Sequence, residues 1–128
     1  MSAVKETILL VEDEERTRSL LCKLLEDQGY LVLEADDGEA ALSISEVFEG
    51  EIHLLVTDLM MPIMNGKELA DRLCALRPEI KVLFISGISR TDILPEVCEE
   101  RSDWLHKPFT IAELNSKVRR ILNSVREE

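Results

Sequence analysis

Short unbroken apolar runs alternate along this chain with stretches in which apolar residues return every three or four positions. The run Thr7–Val11 (TILLV) ends against Glu12 and Asp13. It is too short for a helix and apolar on both pleat faces, which predicts a strand buried on both sides. Residues 14–28 carry Leu20, Leu21, Leu24 and Leu25 at helical spacing, and Gly29 follows as a helix stop. The unit then repeats, with a strand over Leu31–Ala35 and a helix from Asp37 to about residue 49 that buries Ala41, Leu42, Ile44 and Phe48. A strand over 53–57 stops at Asp58, and the loop 59–65 leads into a helix carrying Leu69, Ala70, Leu73 and Leu76, stopped by Pro78. Residues 80–85 read as a fourth strand. The stretch 86–101 contains Pro95, which disrupts an interior helical turn, so a short or frayed fourth helix is expected there. A brief strand over 103–106 precedes Thr110-Ile-Ala-Glu113, a capping box that opens a last helix with Ile111, Leu114, Val118, Ile121, Leu122 and Val125 on one face.

Five strands alternating with five helices predict an α/β fold: a (βα)5 doubly wound, parallel five-stranded sheet with right-handed crossovers. In such sheets ligands bind at the carboxyl ends of the strands, so the site is sought there. The 128 residues fit one domain, 1–128.

Charge narrows the range of partners. Asp and Glu number 26 against 15 Lys and Arg, a formal charge of −11, which repels phosphate backbones and anionic headgroups. Direct nucleic-acid or membrane binding is therefore not expected. No apolar run approaches the roughly 20 residues that cross a bilayer, and the first residues lack the apolar core of a leader. The expected compartment is the cytoplasm. Cys22, Cys74 and Cys98 are far apart, without metal-ligand spacing, and are expected to be reduced residues packed in helices.

The strand ends carry the candidate chemistry: Glu12 and Asp13, then Asp58, then Ser86, then Lys107. Crowded carboxylates repel one another, and the usual relief is a hard divalent cation with oxygen ligands, here Mg2+. A carboxylate is also a nucleophile toward phosphorus, and Asp58 is the best placed of the three. Lys107 could pair with one phosphoryl oxygen, and the Ser86 hydroxyl could donate to another.

Val11-Glu-Asp-Glu14, Thr57-Asp-Leu-Met-Met-Pro62 with Asn65-Gly66, Phe84-Ile-Ser-Gly87 and His106-Lys-Pro-Phe109 resemble, in that order, the motifs of CheY-like response-regulator receiver domains. The resemblance covers about residues 6–124 and implies a flavodoxin-like sheet of strand order 2-1-3-4-5. It also implies that Glu12 and Asp13 form an acidic pocket, and that Asp13, Asp58 and the backbone carbonyl of Met60 bind the metal. Asp58 would accept a phosphoryl group from the phosphohistidine of a sensor histidine kinase or histidine phosphotransfer domain. Ser86 would be the switch hydroxyl, Lys107 the cation, and Pro108 would follow a cis peptide bond. The surface around the fourth helix, fifth strand and fifth helix would then change and engage a downstream protein. The switch aromatic, usually Tyr or Phe, is Trp104 here. Such a domain catalyses only its own phosphorylation and dephosphorylation. It stands alone or belongs to a longer protein, and the phrases at 84–87 and 106–109 lean toward the hybrid histidine kinases.

Plainer readings exist for each residue. Glu12 and Asp13 suit a helix N-terminus, Asp58 a turn before Pro62, Ser86 a local backbone bond and Lys107 a solvated charge. None explains why all of them fall at carboxyl strand ends. His53 and His106 lie at opposite ends of their strands, and Met60, Met61 and Met64 suit loop packing. A flavin- or nucleotide-binding domain of similar topology needs a phosphate-cradling loop after the first strand, but residues 12–18 (EDEERTR) have acids and no glycine. A phosphohydrolase would want a second acid where Met60 stands. A degenerate receiver used only for docking would have lost an acid, the lysine or Asp58.

Overall fold

The computed structural model describes residues 5–87 and 102–124. In chain order they form β1 (Thr7–Val11), α1 (Glu15–Asp27), β2 (Leu31–Ala35), α2 (Gly38–Val47), β3 (Leu54–Asp58), α3 (Gly66–Leu76), β4 (Lys81–Ser86), β5 (Ser102–His106) and α4 (Ile111–Asn123). All strands are parallel, in the order β2-β1-β3-β4-β5. The helix expected over 86–101, with Pro95 and Cys98, lies outside the described residues, as does Val125.

The central strands are unbroken apolar runs because both of their faces are covered. Alternate residues feed two separate cores. Leu9, Leu55, Val82 and Phe84 pack with Ala41 of α2 and Leu69, Ala70 and Leu73 of α3. Ile8, Leu10, Leu54, Val56, Leu83 and Ile85 pack on the other side with Leu21 and Leu25 of α1 and Leu114, Val118 and Ile121 of α4. Each of the leucine, isoleucine, valine and phenylalanine side chains contributes about 1.5–3 kcal/mol on burial.

Helix ends follow local chemistry. Asp37 Oδ1 accepts the Ala40 N–H at 2.8 Å, and the Thr110/Glu113 capping box forms as expected. A second box, Asn65/Glu68, opens α3 and was not anticipated. Gly29, at φ 99°, stops α1 in a conformation that suits glycine. Lys107–Pro108 is cis.

Leu20, Leu76 and Ile111, counted above on apolar faces, are exposed. Leu20 is one step of about 100° round the helix from the buried Leu21, and the other two are the terminal residues of their helices. Cys22 is free and buried, and burial, with Glu34 nearby, pushes its thiol up to about 12. Cys74 is disulfide-bonded, which corrects the expectation of a reduced thiol there. Spacing along a chain does not reveal which sulfurs come within bonding reach in space. No helix among the described residues is long and apolar enough to cross a membrane.

Arg77, just past α3, ties two helices together. Its Nε donates to Ser45 Oγ at 2.7 Å, Nη2 to the carbonyls of Ser45 and Phe48 at 2.8 Å, and Nη1 to the Gly50 carbonyl at 2.9 Å. A cation thus caps the carboxyl end of α2, where carbonyls lack helical partners. Arg77→Ala is expected to cost about 2 kcal/mol, the middle of the range for hydrogen bonds to a charged group. Arg77→Lys should recover only part, because one ammonium cannot span the same acceptors. Urea unfolding checks this, with the exposed Arg72→Ala as the control that should change little.

Candidate functional site

Parallel strands put all their carboxyl ends on one rim, and the sequence-selected residues stand there. Glu12 directly follows β1, Asp58 ends β3, Ser86 ends β4 and Lys107 follows β5. Glu12, Asp58 and Ser86 are buried, while Asp13 is exposed. One carboxylate oxygen from each of Glu12, Asp13 and Asp58 falls within 4.8 Å of the other two. Lys107 Nζ reaches Asp58 Oδ2 at 3.3 Å, and the Met60 N–H donates to Asp58 Oδ1 at 3.2 Å. Both oxygens of Asp58 are thereby oriented.

The loops are fixed by backbone bonds across strand ends. The Lys107 N–H donates to the Ser86 carbonyl and the Leu59 N–H to the Ile85 carbonyl, both at 2.9 Å. The Gly66 N–H donates to the Leu59 carbonyl at 2.8 Å, and a Cβ at position 66 would stand 2.5 Å from the Asp58 carbonyl oxygen. Glycine is required there by close approach, which is how the Asn65-Gly66 pair serves the site.

Burial pushes the Glu12 carboxyl up to about 7; Asp58 raises it further, while the Glu14 N–H and Lys107 oppose the rise. At Glu12, burial with Asp58 alongside thus outweighs the Glu14 N–H and Lys107. The donor set is all hard oxygen, so these residues fit a divalent cation that prefers oxygen ligands.

Trp104 lies on β5 beside Phe84 of β4, with ring centroids 5.5 Å apart and planes at 42°. Ser86 is in register with His106. His53 sits at the opposite rim, where its Nδ1 accepts the Thr7 N–H at 2.9 Å, and His106 is exposed. The structure thus brings Glu12, Asp13, Asp58, Ser86 and Lys107 to one rim, with Met60 attached through its backbone and Trp104 part-buried one strand pair away. Sequence reasoning missed Arg18, whose guanidinium Nη1 donates to the Glu12 carbonyl at 2.8 Å. Its only signal was a basic residue one and a half helical turns beyond the acidic pair.

Residues 8–119 match the family described as the response regulator receiver domain. The response regulator receiver protein CpdR of Brucella abortus (strain 2308) is 36% identical over 116 residues, covering 90% of this chain and 95% of that protein. Sensor kinase CckA of the same organism is 36% identical over 117 residues, 91% of this chain but only 12% of that kinase. A crystal structure of the receiver domain from hybrid histidine kinase CckA aligns with a TM-score of 0.77 and 38% identity, covering 91% of this chain and 99% of that one. With the match running through both ends of the sheet and across every strand that supplies the acidic rim, the chain belongs to the response regulator receiver domain family.

Proposed function

We propose that this chain is a phosphorylation-dependent signalling switch in which Asp58 accepts the phosphoryl group of a phosphohistidine. The convergence of Lys107, Glu12 and Asp13 on the Asp58 carboxylate carries this reading. An Asp58 oxygen attacks phosphorus, an O–P bond forms as the N–P bond breaks, and the imidazole leaves with its electron pair. Asp13 and Asp58, with the Met60 carbonyl and Glu12 beside them, would hold Mg2+, which supplies charge neutralisation for the phosphoryl oxygens. Lys107 pairs with one of those oxygens and the Ser86 hydroxyl donates to another. The donor is a sensor histidine kinase or a histidine phosphotransfer domain, and the setting is the cytoplasm. The chain acts as one domain, either alone, as its match to 95% of the length of CpdR favours, or within a hybrid kinase such as CckA. The altered surface around β5, α4 and the preceding segment then engages a downstream protein.

Incubation with acetyl phosphate and Mg2+ should add one phosphoryl group to the intact mass. Asp58→Asn should gain none, and a gain there would sink the assignment.

The raised Glu12 pKa sets a pH dependence with a definite sign. Stability from the protonated carboxyl is complete below its ordinary value of 4.5 and is lost as pH rises through about 7. In metal-free protein, Glu12→Gln should flatten the fall in melting temperature across that window. Because a cation requires the carboxylate, apparent Mg2+ affinity should rise over the same window in wild type and much less in Glu12→Gln.

Trp104 reports the switch. If Ser86 moves toward an occupied Asp58, the space it leaves lets the ring shift, a coupling of about 1–3 kcal/mol. Beryllofluoride with Mg2+ should change tryptophan emission in wild type and much less in Ser86→Ala. An unchanged wild-type emission with Asp58 occupied would remove Trp104 from the mechanism.

A further inference from the structure

We infer that Arg18 is a positioning residue that sets the cation affinity of the site through the backbone carbonyl of Glu12. The inference rests on the reading of Glu12, Asp13 and Asp58 as a Mg2+ site.

Arg18 lies on α1, yet its side chain is only 17% exposed and turns back over the end of the sheet. Its Nη1 donates to the Glu12 carbonyl at 2.8 Å, and its Nε stands 3.6 Å from Glu34 Oε1 on β2. The Glu12 backbone is thereby held on both sides, since its own N–H donates to the Ala35 carbonyl at 3.2 Å. Its carboxyl is held too, by the Glu14 N–H at 3.0 Å, and the Arg18 N–H donates to the Glu14 carbonyl at 2.9 Å. The result is a closed circuit from the end of β1 through the first turn of α1 and back through the guanidinium.

The peptide unit is planar, so the Glu12 carbonyl and the Asp13 N–H cannot turn independently. Fixing that carbonyl fixes the direction in which the chain leaves the strand, and with it the starting point of the Asp13 side chain. Arg18 therefore aims two carboxylates without touching either. The Arg18 charge has a carboxylate partner in Glu34, away from the acidic cluster. A planar fork reaches a carbonyl and a carboxylate at once, which a lysine ammonium does less well.

The test measures Mg2+ affinity by calorimetry in wild type, Arg18→Ala, Arg18→Lys and Glu34→Gln, with amide hydrogen exchange at Glu14 in the metal-free proteins. Arg18→Ala should bind Mg2+ about tenfold more weakly, as outer partners of metal ligands do, and its Glu14 amide should exchange faster. Phosphorylation by acetyl phosphate should be recovered by raising Mg2+, which separates a binding effect from a chemical one. Arg18→Lys should restore part of the affinity, and Glu34→Gln should lower it in the same direction by less. A purely structural Arg18 would lower the melting temperature and leave the Mg2+ dissociation constant alone. That result, in the alanine variant or, should it not fold, in both Arg18→Lys and Glu34→Gln, overturns the inference. A wild-type protein that binds no Mg2+ overturns the proposed function itself, and the inference with it.

Discussion

Everything distinctive about this molecule follows from carboxylates being forced together at one edge of a parallel sheet. Glu12, Asp13 and Asp58 present oxygens within 4.8 Å of one another, and Lys107 supplies a positive charge at 3.3 Å from Asp58. Mutual repulsion of buried acids opposes folding, so the loops that carry them must be tied by other means. The ties are the backbone bonds between strand ends, the close approach of Gly66 to the Asp58 carbonyl and the Arg18 bond to the Glu12 carbonyl. The hydrophobic cores lie below this rim and hold it in place. In the proposed function, that repulsion is what a bound cation or an added phosphoryl charge would act on.

The strands were legible in the sequence because burial on both faces leaves unbroken apolar runs, as in TILLV and HLLVT. The edges of elements were less so. His53 was placed in a strand that begins at Leu54, and Leu76 on a face that it does not share, because terminal turns obey local hydrogen bonding rather than period. The acids and Lys107 could be selected because the topology rule sends carboxyl strand ends to one place, although their separations could not be known. Arg18 and Arg77 were invisible for a common reason. Each acts on backbone carbonyls, Arg18 on one nearby in the chain and Arg77 on several far from it, and any residue type presents a carbonyl, so no motif marks the partner.

The two arginines also divide the labour of the two sheet faces. Arg77 joins the carboxyl end of α2 to the end of α3, well away from the acidic rim, and makes those helices one unit. Arg18 joins α1 to the ends of β1 and β2 at the rim itself. One brace lies away from the acidic rim, and the other lies at it.

The parity of the strands has a consequence for how such a domain diversifies. Odd-numbered residues of β1 and β3, such as Leu9 and Leu55, enter one core, while Ile8, Leu10, Leu54 and Val56 enter the other. Substitutions in different cores share few neighbours, so their energetic effects should add nearly independently. A lineage can therefore repack beneath α1 and α4, reshaping one exterior for new associates, while the α2 and α3 side stays unaltered. Inheritance of the acidic rim requires only that the strand ends remain level, a condition that neither repacking need disturb.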